Sequence, residues 1–178
     1  MGNLNENCVL NIKNKSHAVT AELVVPEGGA IGVIRNQGGH SGGWSFYLQD
    51  GKPKYCYNLL GLQQFSIEAD QAVPEGTHQV RMEFAYDGGG LAKGGTVTLY
   101  VDGEQVGQGR VQATQPIIFS SDETTNVGRD TGSPVTTDHG TDNAFSGQIN
   151  WVQLDLGTDS TDHLISPEAR LRIAMARQ

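Results

Sequence analysis

Cysteine is scarce in this sequence, with only Cys8 and Cys56 in a chain of 178 residues. Two thiols allow at most one bridge, which excludes a disulfide-stapled scaffold, and no Cys-x-x-Cys pair offers a zinc or redox spacing. Unbridged thiols are the expectation. Basic residues are also few, 12 Lys and Arg against 20 Asp and Glu for a net charge of −8, and they are scattered up to the C-terminal tail. A phosphate backbone finds no electrostatic footprint here, so nucleic acid is not an expected partner. No apolar run reaches the roughly 18 residues of a membrane-crossing helix, and MGNLNENCVLNIKNKS lacks the charged and apolar regions of a secretory signal. The chain as written reads as soluble.

What is abundant is glycine, 24 residues, spaced among short alternating runs. Frequent glycine breaks suit strands and turns better than long helices. In GGWSFYLQDGKPKYCYN, Asp50-Gly51 supplies the positive φ values of a two-residue hairpin turn, pairing Leu48 with Pro53, Phe46 with Tyr55 and Trp44 with Tyr57. The opposite face then collects Ser45, Tyr47, Lys54, Cys56 and Asn58. In GGTVTLYVDGEQVGQGRV, Asp102-Gly103 repeats the device and places Leu99 opposite Val106. Between them HQVRMEFAYDGGG alternates, with Val80, Met82, Phe84 and Tyr86 on one face and Arg81, Glu83 and Ala85 on the other. HAVTAELVV, GVIRNQ, FSIEA, QPIIF and GQINWVQLDL read as further strands. The expectation is an all-β antiparallel sandwich or jelly roll over residues 1–157, with Trp44, Phe46, Tyr55, Tyr57, Val80, Met82, Phe84, Leu99 and Val101 in its core. Residues 158–178 read as a loop followed by one short C-terminal helix, with Ser166 as N-cap and Pro167 at the first helical position, packed on the sandwich.

Chemistry is thinly signalled. Glu68-Ala69-Asp70 begins a Glu-x-Asp-x-x-Glu glycosidase pattern, but Val73 stands where the second glutamate belongs. Arg81 and Glu83 read as an ion pair on a strand face. The histidines (His17, His40, His78, His139, His163) show no ligand spacing. Gly39-His40-Ser41-Gly42-Gly43 matches Gly-x-Ser-x-Gly in letters, yet lies between two strands, whereas a nucleophile elbow needs a strand followed by a helix. The run VGRDTGSPVTTDHGTDNAF is a long acidic connection. Asp122, Asp130, Asp138 and Asp142 supply hard oxygen ligands that suit Ca2+, although their spacing is not that of an EF-hand; a solvated, turn-rich loop is the competing reading.

The runs GGWSFYLQDGKPKYCYNLLG, RMEFAYDGGGLAKGGTVTLYVDG, VGRDTGSPV, FSGQINWVQLDLG and HLISPEARLRIAMARQ resemble the C-terminal domain that follows the catalytic domain in a group of long bacterial arylsulfatases. More distantly, LYVDG followed by FSGQINWV is similar to the laminin-G and concanavalin-A-like jelly rolls. The resemblance implies a bacterial source and an accessory domain without catalytic residues. Neither cysteine stands in the C/S-x-P-x-R setting that those enzymes convert to formylglycine. The functional expectation is a module that binds glycan or docks on a sulfatase-type catalytic domain. The alternatives are a small hydrolase of esters, sulfate esters or glycosides, and a homodimer formed through an edge strand or the terminal helix. For glycan contact the polar strand faces offer Tyr47, Asn58, Arg81, Glu83 and Tyr100, on the assumption that their strands share one sheet.

Overall fold

The computed structural model describes residues 4–5, 9–120, 123–157, 165–168, 172 and 175. Short runs of alternating polarity, each ended by a turn former, give eleven strands among these residues: β1 Leu4–Asn5, β2 His17–Val25, β3 Gly32–Gly39, β4 Gly42–Gln49, β5 Lys52–Leu59, β6 Gln63–Glu68, β7 Gly76–Tyr86, β8 Lys93–Val101, β9 Glu104–Ala113, β10 Thr124–Val127 and β11 Gln148–Leu156. They form two antiparallel sheets, one ordered β1-β10-β3-β4-β5-β6 and the other β11-β2-β7-β8-β9. The chain is thus an all-β jelly roll. Residues 167, 168, 172 and 175 are helical and follow Ile165 and Ser166, which are not; the rest of the tail, including Leu164, lies outside the described residues.

Both hairpin turns form as their chemistry requires. Asp50 and Gly51 have φ of 50° and 77°, and Asp102 and Gly103 have 50° and 84°. The first hairpin keeps the expected register, Trp44 opposite Tyr57, Phe46 opposite Tyr55 and Leu48 opposite Pro53. The second does not: Leu99 pairs with Gly107 and Tyr100 with Gln105, so Val106 is the extra residue of a bulge rather than the partner of Leu99. The bulge leaves Val106 packed against the core without opposing a single residue.

Alternation puts one apolar face of each sheet inside. Trp44, Phe46, Tyr55 and Tyr57 from one sheet meet Val80, Met82, Phe84 and Leu99 from the other in one buried cluster, with Val101 half-buried at its edge. QPIIF is not a strand. Pro116 has no backbone donor, and the Gln115 side chain bonds Ile118 O at 3.0 Å, which curls the segment. A strand not expected from the sequence, β10, lies in the run Thr-Thr-Asn-Val and pairs with β3 on the side away from β4.

Candidate functional site

The long connection 128–145 passes over the outward face of the six-stranded sheet, and the polar residues of that face hold it there. Asn58 Nδ2 donates to Val135 O at 2.9 Å, and Gln64 Nε2 donates to the same oxygen at 3.3 Å. Tyr47 donates its hydroxyl to Asp138 Oδ2, and Lys54 Nζ meets that oxygen at 2.7 Å. The His139 ring packs edge-on against Tyr47 at 5.1 Å between centroids. At its far end the connection joins the sheet, with Val33 N donating to Asn143 O at 2.9 Å. This close approach requires Gly32, whose φ is +107° and whose missing Cβ would run into the Ala144 backbone. Val33, Tyr47 and Cys56 form a small apolar cluster beneath the strap.

Electrostatics fit a strap that is held rather than floating. Burial alone would raise the Asp138 carboxyl, yet bonds from Lys54 and Tyr47 hold it below its usual range. Burial opposes charge on Lys54, but Asp138 and Glu68 outweigh that and leave its ammonium more firmly protonated. Burial raises the Tyr47 phenol and the Cys56 thiol, both inert as nucleophiles at neutral pH. Cys56 is unbridged, and Cys8 lies outside the described residues. Asp130, buried within the strap, is raised by desolvation to about 6. It accepts from Gly132 N at 3.3 Å and Val135 N at 3.4 Å.

Between the strap and the ends of β3 and β4 lies a groove of about 310 Å3. Ile31, Tyr47, Gln49 and Asp50 line one side, and Asp138, His139, Asp142 and Asn143 the other. Burial lowers the His139 imidazole below its ordinary value, so it is neutral at pH 7. The groove combines an exposed aliphatic (Ile31), two aromatic rings and several hydrogen-bonding groups.

The residues proposed for ligand contact fall into separate places. Tyr47 lines the groove, while Asn58 is buried under the strap. Arg81, Glu83 and Tyr100 lie on β7 and β8 of the other sheet, so the assumption of one shared face is corrected. There Arg81 is buried, with Nε donating to Glu83 at 2.7 Å and Nη1 to Thr20 Oγ1 at 2.7 Å, and Asp155 lies 3.6 Å from it. Arg81 and Glu83 form an ion pair on the strand face, as their alternation implies. Asp122 lies outside the described residues. Among the described residues no three His, Cys, Asp or Glu side chains converge on a metal-sized site; Asp130 is bonded within the strap, Asp138 is paired with Lys54, and Asp142 lines the groove.

Ser41 occupies the two-residue turn between β3 and β4, with strand on both sides, so no elbow exists there. Sequence reasoning missed Ile31, Gln49, His139 and Asn143 as groove residues. Only the strap brings them together, across about a hundred residues of chain, and no local signal marks them.

The architecture is similar to that of laminin G-like jelly rolls. Domains LG4-5 of the mouse laminin alpha1 chain superpose with a TM-score of 0.60 at 13% identity, over 89% of this chain and 40% of that one. The CBM40 of Ruminococcus gnavus IT-sialidase, bound to alpha2,3 sialyllactose, gives 0.57 at 13% identity, over 82% of this chain and 78% of that one. The receptor binding domain of botulinum neurotoxin C/D mosaic serotype gives 0.52 at 15% identity, over 99% and 39%. No family model and no curated protein sequence matches the chain. No helix among the described residues is long and apolar enough to cross a membrane.

Proposed function

We propose that the chain is a non-catalytic glycan-binding domain whose site is the groove beneath the strap. The observation that carries this reading is the lining itself. Gln49, Asp50 and Asp142 offer acceptors and donors for sugar hydroxyls, beside the ring of His139 and the aliphatic surface of Ile31. A shallow site of about 310 Å3 with few fixed polar groups suits one or two sugar rings. A neighbour of the same fold, the CBM40, is named with bound alpha2,3 sialyllactose, which supports a sugar ligand for this architecture.

Alternation and turn chemistry build the sheet, the strap closes over it, and the ligand reads the seam between them. Tyr47, Lys54 and Asp138 act as positioning residues: their bonds fix the strap, and with it His139 and Asn143, before any ligand arrives. A glycan array followed by calorimetry tests the reading. Asp142→Ala or His139→Ala should weaken binding at least tenfold while Arg81→Ala, on the other sheet, leaves it unchanged. Binding lost in Arg81→Ala and kept in both groove variants would move the site to the opposite face. Chromogenic sulfate, ester and glycoside substrates should not be turned over; turnover that disappears in Ser41→Ala would replace the module by a hydrolase.

A second reading, docking on a sulfatase-type catalytic domain, draws on one surface feature. Leu60, Leu62, Ile117 and Ile118 are exposed, and Gln115 ties their loops together through Leu60 N at 3.4 Å and Ile118 O at 3.0 Å. Leu62→Asp with Ile117→Asp would abolish such docking, or a homodimer seen by sedimentation, without touching the groove.

A further inference from the structure

We infer that the groove selects uncharged glycans and rejects those carrying a carboxylate or a sulfate. The inference rests on the glycan reading above and specifies its ligand class. Three carboxylates, Asp50, Asp138 and Asp142, line the groove, and no lysine or arginine does. Arg129 lines the adjoining hollow that shares Asp142 and Asn143, not the groove itself. Lys54 touches the groove residue Asp138, and its charge is already committed: Nζ lies 2.7 Å from Asp138 and 3.4 Å from Glu68, with the side chain 14% exposed. His139 adds no positive charge, since burial lowers its affinity for a proton. The Lys54 charge is thus neutralised twice over, while Asp50 and Asp142 stand exposed at the rim without an ion-pair partner among the described residues.

Carboxylates suit vicinal hydroxyls, because each oxygen accepts a charge-assisted bond from a neutral donor. They repel an anionic substituent, and none of the groups here supplies the fork of donors that recognition of a carboxylate or sulfate requires. The chain's net charge of −8 acts in the same direction at longer range. The likeness to a CBM40 named with sialyllactose is therefore one of fold, with the ligand class reversed by the lining of this groove.

The test compares each neutral glycan on an array with its sialylated and sulfated derivatives, at low and physiological salt. The neutral core should bind about tenfold more tightly than its acidic derivative, and added salt should narrow that ratio. Asp50→Asn with Asp142→Asn should narrow it further; Asn-Gly forms the same hairpin turn as Asp-Gly, so β4 and β5 keep their register. Equal or tighter binding of the acidic derivatives by the wild-type chain would overturn the charge inference and leave the glycan reading standing. Absence of binding to every glycan, neutral ones included, would overturn both.

Discussion

Each sheet turns a polar face away from the core, and the two faces are buried by different means. On the six-stranded sheet, Ser45, Cys56 and Asn58 are buried beneath a strap that arrives from about eighty residues further along the chain. On the five-stranded sheet, Thr20 and Arg81 are buried among their own neighbours, Glu83 and Asp155, and Gln79 exchanges two 3.0 Å bonds with the Ile165 backbone at the foot of the tail. The first solution leaves a seam beside the strap, and a seam is a groove. The second closes polar groups onto one another. Polar alternation on a strand thus predicts which side faces away from the core, and says nothing of whether that side meets water or ligand.

The comparison breaks most visibly at Asn58, whose side chain donates to Val135 O and His40 O and accepts from Gly61 N. Asn58→Ala should cost about 3 kcal/mol in urea unfolding, because it orphans several buried groups at once. In a Cys8→Ser background it should also expose Cys56 to a thiol reagent. A Cys56 that stays protected would mean the strap is held elsewhere.

The strap face should also respond to pH. Burial raises the Asp130 carboxyl from 3.8 to about 6, so the folded state holds its proton more tightly than the unfolded chain. The cost of its ionisation is present in full above pH 6 and is relieved as pH falls toward 4. His17 runs in the opposite sense: burial lowers it from 6.5 to about 4, and stability is lost as pH falls across that window. Subtracting the Asp130→Asn profile from the wild type cancels His17. The wild type should gain on the order of 2 kcal/mol relative to Asp130→Asn between pH 7 and pH 4, and a flat difference would place Asp130 in water.

On the other sheet, Arg81→Ala should cost about 1–2 kcal/mol by leaving Thr20 Oγ1 without the Arg81 donor and Glu83 without its ion pair, with no change in Cys56 reactivity. Coupling between Arg81→Ala and Asn58→Ala in a double-mutant cycle would show that the faces are not independent. Smallest is Tyr47→Phe, which removes one hydroxyl from Asp138 but keeps the ring against His139. About 1 kcal/mol in thermal melting is expected, with groove binding weakened less than in His139→Ala.

The legible part of the fold was the part governed by neighbours in sequence. Asp50-Gly51 and Asp102-Gly103 name their own turns, and alternation names Phe84 as inward and Arg81 as outward. The Val106 bulge was not legible, since a single inserted residue leaves the alternation on both sides intact. Thr124–Val127 hid as a strand because its side chains are polar on both faces, while QPIIF was apolar enough to imitate one. Of the candidate site, Tyr47 was visible as an aromatic among polar neighbours, and Asp138 and Asp142 as carboxylates; their roles were not.

The sequence by itself determined the all-β class, the two Asp-Gly hairpins and the inward set from Trp44 to Leu99, because strand period and turn chemistry act between residues a few positions apart. Only the tertiary structure decided that residues 128–145 lie across the outward face of one sheet, that Arg81 and Tyr47 belong to different sheets, and that Asp138 pairs with Lys54. Those outcomes depend on contacts between segments some 80 to 110 residues apart, such as Asn58 with Val135 and Val33 with Asn143. Contacts at that range are set by which surfaces meet once both sheets have formed, and no local pattern encodes them.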